Sequence, residues 1–269
     1  MHAAGQKWQA ELAIVEPWGA LHVRPAINSI ISQDYARAEE LLAAAQTALD
    51  AAGLQADICE SIQYALRLQH YRLTWQRDPA SLTAMSYNAA LDAFSQPAAS
   101  AFSDRARLIC RFHIKLFAEY GGIEALSHSE VEEFLMAMEG DPELNQMLHR
   151  VAGWAYKCRD LELLERAYSE LLVNPHSVLG SAKWLRVNLM YLLVSGKVVR
   201  RDIEESIKAL RIQPQLEEFK LLLWPDCLAT GLVDDELREL LAERAREIEE
   251  SPAAKLREKK TKTMRTVGL

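Results

Sequence analysis

The sequence contains little glycine and little proline, and it has almost no stretches in which β-branched residues alternate with polar ones. Of its 269 residues, 11 are glycine and 9 are proline, whereas alanine, leucine and glutamate are abundant. Glycine and proline mark turns, and alternating β-branched runs are typical of half-buried strands. This composition favours helix over sheet and predicts an all-α fold.

Long apolar runs are also missing. The longest one, around residues 189–194, is far shorter than the roughly 20 residues that a membrane-spanning helix needs. The first residues do not show a basic segment followed by an apolar run, which is the pattern of a secretory signal. We therefore expect a cytoplasmic protein with no transmembrane segment.

The familiar motifs of nucleotide, hydrolase and metalloprotease sites do not occur. The sequence has no G-x-x-x-x-G-K-[ST] loop, no G-x-G-x-x-G after a strand, no G-x-S-x-G and no H-E-x-x-H. Asp234 and Asp235 resemble the start of an aspartate-rich diphosphate motif, but the fifth position is Arg238. We interpret Asp234 as a helix cap, and the sequence assigns no catalytic residue, metal or cofactor.

The four cysteines, Cys59, Cys110, Cys158 and Cys227, are widely separated and form no C-x-x-C pair. They lie in apolar helical patterns, so we expect buried, reduced thiols. Cys110 and His113 are three residues apart and fall on one face of a predicted helix. Two ligands are too few for a zinc site, which needs three or four.

Charge is distributed unevenly along the chain. The net charge is −7, but residues 252–269 contain six basic residues and one acid, which leaves −12 for the remainder. We expect one helical-repeat domain over residues 1–251, followed by a basic, disordered tail over residues 252–269. The acidic body gives no clear sign of nucleic-acid binding, which needs a continuous basic surface. Whether the tail binds an acidic surface is left open.

Helix signals cover most of the chain. The amphipathic segment from Tyr35 to Ala52 ends at Gly53, Asp78 precedes Pro79, and Ser129 and Glu132 have capping-box spacing. The predicted helices span residues 5–15, 24–32, 35–52, 56–76, 79–95, 103–120, 129–139, 142–158, 161–173, 177–195, 202–211, 214–224 and 234–251. The links between them are short, so sequence neighbours should pack antiparallel.

The junctions between helices recur. They fall at Asp34, Asp78, Gly122, Asp160 and Asp202, at intervals of 38 to 44 residues. Three of them share an acid followed by an apolar anchor. A single helical hairpin cannot bury its apolar face, but a stack of hairpins can. The spacing predicts about five to six antiparallel helix pairs.

The stretch from Leu148 to Pro175 resembles a degenerate tetratricopeptide repeat, longer in period than the 34 residues of that family. The resemblance is carried by Ala152, Ala155, Leu164, Tyr168, Leu171 and the pair Asn174-Pro175, and weaker copies begin at Asp34 and Asp202. It implies an α-solenoid, a right-handed superhelix that binds partners on its concave face.

Several predicted first helices combine aromatic and basic residues, which suits the capture of a peptide. The candidate partner-binding residues are Arg67, His70, Arg111, Gln146, His149, Tyr156, Lys157, Arg186 and Asn188. Within this set, the resemblance implies groove positions at Gln146, His149, Tyr156 and Lys157. Arginine and lysine would pair with carboxylates of the partner, and aromatic rings would hold its apolar side chains.

These observations predict a non-enzymatic interaction scaffold, adaptor or chaperone that captures a peptide or protein segment on a concave helical surface. The alternative is a compact all-α enzyme with a small-molecule pocket between helices. The partner is expected to be a protein or peptide.

Overall fold

The structure is a computed structural model that describes residues 11, 13–139, 144–173, 182–214, 219–220 and 222–252. In the helix that begins at Leu144, side chains are described from Met147 onward. The contacts divide the chain into two compact units, Met1–Met138 and Glu139–Leu269. Each unit is a set of helices, and the described residues include no strand.

In the described part of the first unit, residues 13–18 are helical, and six further α-helices follow them. A π-helical turn, Gly19–Val23, leads into α1 (Arg24–Ile31), and a 3₁₀ turn, Pro79–Ser81, precedes α4. The other helices of this unit are α2 (Tyr35–Ala51), α3 (Ala56–Arg77), α4 (Ala84–Asp92), α5 (Ala101–Tyr120) and α6 (His128–Ala137). Side-chain caps fix several starts: the Asp34 carboxylate accepts the Arg37 N–H at 3.2 Å, and Thr83 and Ser100 each close a capping box.

Helix α3 organises the core of the first unit because it is apolar on two sides. Ile58, Ile62 and Leu66 pack with α1 and α2. Tyr64 and Trp75 pack with residues of α4 and α5, including the fully buried Ile114. A helix with two apolar faces must be covered on both, so α3 joins the α1–α2 pair to the α4–α5 pair.

Within the described residues, the helices of the second unit include α7 (Leu144–Cys158), α8 (Leu161–Val173), α9 (Ala182–Ser195), α10 (Arg200–Lys208), α11 (Pro225–Ala229) and α12 (Asp235–Glu250). Asp160 and Asp234 accept backbone N–H groups at the starts of α8 and α12, each at 3.0 Å. Helix α9 packs against both α7 and α8, and α10 packs against α12. Leu189, Ile207 and Leu241 belong to the cluster that joins α9, α10 and α12.

The all-α prediction is confirmed for the described residues, and the packing of successive helices is compatible with a helical repeat. The solenoid and the tetratricopeptide-like identity stay predictions. The single domain over residues 1–251 also stays a prediction, because in a stack each repeat contacts only its neighbours. A division into two units can therefore arise from one stack or from two domains. Residues 253–269 of the basic tail lie outside the described residues.

Three local expectations need correction. Asp78 caps only the short 3₁₀ turn, and α4 starts at Ala84 after its Thr83 cap. The capping box of α6 uses Ser127 and Glu130 rather than Ser129 and Glu132. Asp202 lies inside the first turn of α10 and not at its cap, because the helix already starts at Arg200.

The cysteines are all free, as expected, but only Cys110 and Cys227 are buried; Cys59 is half-buried and Cys158 is exposed. Cys158 ends α7, where a side chain can point away from the packed face. Over the residues that the structure describes, no helix is both long enough and apolar enough to cross a membrane.

Candidate peptide-binding site

A groove of about 290 Å³ opens between α5 and α6 in the first unit. Its floor is apolar and its rim is charged. The lining residues are Arg107, Leu108, Arg111, Phe112, Lys115, Glu130, Glu133, Phe134 and Ala137. An apolar floor with polar groups at its edge is the usual composition of a protein-binding patch.

Helix α5 supplies the basic side of this groove. Arg107, Arg111 and Lys115 follow one another at intervals of four residues, which places them on one face of a helix. The Arg107 guanidinium lies 2.7 Å from the carboxylate of Asp104 and also donates to the Phe94 carbonyl at 2.9 Å. Lys115 forms an ion pair with Glu130 of α6.

Helix α6 forms the opposite wall, and its start is fixed by Ser127. The Ser127 N–H and hydroxyl donate to the Glu130 carboxylate at 2.9 and 2.8 Å. Burial raises the pKa of Glu130, but the hydrogen bonds from Lys115 and Ser127 outweigh it, so the pKa of this carboxyl is lowered. The Phe112 and Phe134 rings stack with centroids 4.1 Å apart and planes 5° apart, which joins the two helices at the floor.

Two charged side chains of the groove remain without an ion pair or hydrogen bond within the described part of the chain. Arg111 is half-buried between Arg107 and Lys115, and Glu133 is exposed on α6. A guanidinium presents several donors in a fixed plane and suits a carboxylate ligand. The groove therefore offers one cation and one anion to a partner, beside an apolar floor.

A second cavity, of about 400 Å³, lies in the second unit among α8, α9 and α10. Its wall is a stack of three aromatic rings. The Tyr168 ring lies 5.2 Å from Trp184 and 4.7 Å from Tyr191, with interplanar angles of 21° and 14°. Trp184 and Tyr191 are seven residues apart on α9, about 10 Å along the axis, so Tyr168 fits between them. We call this cavity the aromatic pocket.

The polar side of the aromatic pocket comes mainly from α10. Asn188 donates a hydrogen bond to the hydroxyl of the buried Ser206, and the Asp202 and Glu205 carboxylates line the same cavity. Burial raises the pKa of Tyr168, and the neighbouring Tyr191 and Asp202 raise it further. Asp202 therefore lies close enough to influence the rings.

A third feature of the second unit is an aromatic cluster centred on Trp224. The Tyr156 and Trp224 rings stack with their centroids 5.6 Å apart. The Arg186 guanidinium also contacts Trp224, at 5.5 Å from the ring centroid. The Tyr156 hydroxyl donates to Asp226, which also pairs with Arg159 at 3.1 Å. The pKa of Tyr156 is raised, mainly by burial and after that by the hydrogen bond and the negative charge of Asp226.

The residues predicted from the sequence lie at several places rather than at one. Arg111 lines the α5–α6 groove, Asn188 lines the aromatic pocket, and Tyr156 and Arg186 meet at Trp224. Arg67 and His70 are exposed on α3, Lys157 is exposed on α7, and His149 is half-buried on α7. The Gln146 side chain lies outside the described residues. The role of these residues in binding a partner stays a prediction.

Sequence reasoning did not select the acidic members of these sites or Trp224. The sequence predicts Asp202 only as a junction between helices, and it gives no signal for Glu133 or Trp224. One usable signal was present: Trp184, Asn188 and Tyr191 are spaced by four and three residues, which puts them on one face of α9.

The described residues include no group of three or more histidine, cysteine or acidic side chains placed to hold a metal ion. No protein-family model matches the chain, and neither a curated protein nor a solved structure is detectably similar to it.

Proposed function

We propose that this chain is a non-enzymatic scaffold, adaptor or chaperone that captures a segment of another protein in the α5–α6 groove. The observation that carries the proposal is Arg111, a half-buried cation without a partner among the described residues, beside the apolar floor of an open groove. Burying part of a guanidinium without a hydrogen-bonded partner is unfavourable. A carboxylate from a bound segment would supply that partner.

The groove suggests how a segment would bind. An apolar side chain would contact Leu108 and the edges of Phe112 and Phe134, and an acidic side chain nearby would pair with Arg111. Arginine and aromatic residues dominate the energy of many protein interfaces. A charge-assisted hydrogen bond is worth about 1.5–3 kcal/mol, which corresponds to roughly 10-fold or more in affinity.

The packing of the helices supports a repeat scaffold as the carrier of this groove. In the first unit α3 packs against α1 and α2, and in the second unit α9 packs against α7 and α8. In each case a new helix packs against both helices of the preceding pair, as repeat hairpins do. We propose that five to six such pairs form a tetratricopeptide-like solenoid. Its radius of gyration should then exceed the roughly 18 Å of a globule of this length.

The test is a peptide selection with the full chain. A display library of random 12-residue peptides is selected against the chain, and the peptides obtained are measured against Arg111→Glu by fluorescence anisotropy. We expect peptides that combine an acid with an apolar residue, and at least a 10-fold loss of affinity in the variant. Arg24→Glu is the matched control because Arg24 is exposed in the first turn of α1.

Equal affinity for Arg111→Glu and the unchanged chain would contradict the groove proposal, provided that circular dichroism shows both to be folded. Lys157→Ala provides a second arm, since Lys157 is exposed and belongs to the surface implied by the repeat resemblance. A loss confined to Lys157→Ala would move the binding surface to α7. The alternative function, a compact all-α enzyme with a small-molecule pocket between helices, stays a prediction.

A further inference from the structure

We propose that the aromatic pocket of the second unit binds a lysine or arginine side chain from the chain's own basic segment, residues 253–269. This is a different site from the α5–α6 groove, and it does not depend on the function proposed for that groove. Three observations support it: the stacked rings, a carboxylate that forms no ion pair with a described residue, and the position at which the basic segment leaves α12.

The rings provide a surface that attracts cations. Tyr168 stacks between Trp184 and Tyr191, and the three rings border an open cavity of about 400 Å³. Aromatic faces carry partial negative charge, and tryptophan and tyrosine bind ammonium and guanidinium groups within about 6 Å of the ring centroid. The cavity is large enough for the end of one long side chain.

The carboxylates give the pocket its charge. Glu205 is already paired with Arg201 at 2.8 Å, whereas Asp202 forms no ion pair with any described residue. Asp202 is half-buried and lies close to Tyr168. Asn188 and Ser206 satisfy each other by a hydrogen bond and add no charge. The pocket therefore holds one unpaired negative charge next to a π surface, and a cation complements both.

The basic segment carries the matching charge. It contains Lys255, Arg257, Lys259, Lys260, Lys262 and Arg265, with Glu258 as its single acid. A segment of this composition is attracted by the Asp202 carboxylate.

The segment also starts close to the pocket. Helix α12 ends at Glu250 and packs on α10, which supplies Asp202, and the Gln213 side chain donates to the Glu249 carboxylate at 3.3 Å. Ala209, which lines the pocket, precedes Gln213 by four residues, so their Cα atoms are at most about 15 Å apart. Seventeen residues can extend to roughly 56 Å, which is ample. A tethered ligand of this kind reaches an effective concentration on the order of millimolar.

The consequence is an intramolecular contact that blocks the pocket to other basic peptides. Its test uses a fluorescent synthetic peptide of residues 252–269, added in trans to two forms of the full chain. One is unchanged, and in the other the six basic residues of the segment are replaced by glutamine. We expect the neutralised chain to bind the peptide at least 10-fold more tightly than the unchanged chain, as measured by anisotropy at low salt.

The pocket is then tested in the neutralised chain with Asp202→Asn, which keeps the size of the side chain and removes its charge. We expect at least a 10-fold loss of peptide affinity. Asp235→Asn is the matched control, because it removes the same charge from a side chain that is 98% exposed on α12; its affinity should stay within about two-fold of the neutralised chain.

Two results would overturn the proposal. Equal peptide affinity in Asp202→Asn and Asp235→Asn would show that the aromatic pocket is not the site. Equal affinity in the unchanged and neutralised chains would show that the chain's own segment does not occupy it. Urea unfolding of each variant confirms that a loss of binding does not reflect loss of the fold.

Discussion

The α5–α6 groove and the aromatic pocket are both built from neighbouring helices, yet they offer different chemistry. The groove has a floor of stacked phenylalanines, Phe112 and Phe134, and a rim of mixed charge in which Arg111 is the cation that forms no ion pair with a described residue. The pocket has a wall of tyrosine and tryptophan and its charged lining residues are acids, of which Asp202 forms no ion pair within the described part of the chain. One site suits an acidic, apolar segment, and the other suits a basic side chain.

The difference shows how a helical scaffold acquires specificity. In the groove, two of the three cations are used internally: Arg107 pairs with Asp104, and Lys115 pairs with Glu130. In the pocket, Arg201 pairs with Glu205 in the same way. Pairing at intervals of three or four residues neutralises most of the surface charge at little energetic gain. The charged residue that forms no such pair, Arg111 in the groove and Asp202 in the pocket, determines which charge of a ligand each site can bind.

The largest expected effect concerns the hydrophobic cores of the two units. Ile114 on α5 is 0% exposed and Leu189 on α9 is 1% exposed. Replacing either by alanine should lower the free energy of unfolding by about 3 kcal/mol, because a buried side chain is lost and a cavity remains. Urea unfolding followed by circular dichroism measures the change. A loss below about 1 kcal/mol at one position would show that the core of that unit is loosely packed.

Met85→Ala is the control for this pair, since Met85 is 82% exposed on α4. Its effect should stay within about 0.5 kcal/mol. If the exposed and buried substitutions cost the same, the packing described for the two units would be wrong.

A smaller effect is expected from pH, and it should appear in both units. Burial, and after it the neighbouring Glu124, raises the pKa of Tyr87 in the first unit to about 12. Burial also raises the pKa of Tyr168 in the aromatic pocket. An unfolded tyrosine loses its proton near pH 10, before the folded one does. Stability is therefore complete below pH 10 and falls as the pH rises towards 12.

For Tyr87 the loss should reach about 2 kcal/mol at pH 12, because each pKa unit corresponds to about 1.4 kcal/mol. Tyr87→Phe should remove the part of this pH dependence that Tyr87 contributes, and Tyr168→Phe should remove the part that Tyr168 contributes in the second unit. Urea midpoints at pH 9, 10.5 and 11.5 measure both. Tyr120→Phe is the comparison, because Tyr120 is 57% exposed. An unchanged slope in Tyr87→Phe would contradict the environment described for this phenol.

The helices could be predicted from the sequence because their signals are local. The spacing of apolar residues gave α8 as residues 161–173, which is the range in the structure, and α2 and α3 to within one residue. Errors arose where two signals competed. Asp78 and Pro79 are a strong helix start, but Thr83 and Ser86 form a capping box five residues later, and α4 begins there.

The sites could be predicted only in part, because they depend on contacts between helices far apart in sequence. Arg111 and Asn188 were selected for their residue type and fall in a groove and a pocket. The partners that define their chemistry, Phe134 for the first and Tyr168 for the second, come from other helices. Periodicity within one helix shows which residues share a face but not which face of a second helix meets it.

The smallest expected effect separates an aspartate that caps a helix from one that lines a site. Asp34 and Asp160 accept backbone N–H groups at the starts of α2 and α8, so replacing either by alanine should cost about 1 kcal/mol of unfolding free energy. Asp202 follows the start of α10 and makes no capping bond. Asp202→Ala should then cost only about 0.3 kcal/mol, the size of a helix-dipole interaction. Urea midpoints of the three variants decide this. If Asp202→Ala lowers the free energy of unfolding as much as the other two substitutions, the Asp202 carboxylate has a structural role. It would then not be available to bind a ligand in the aromatic pocket.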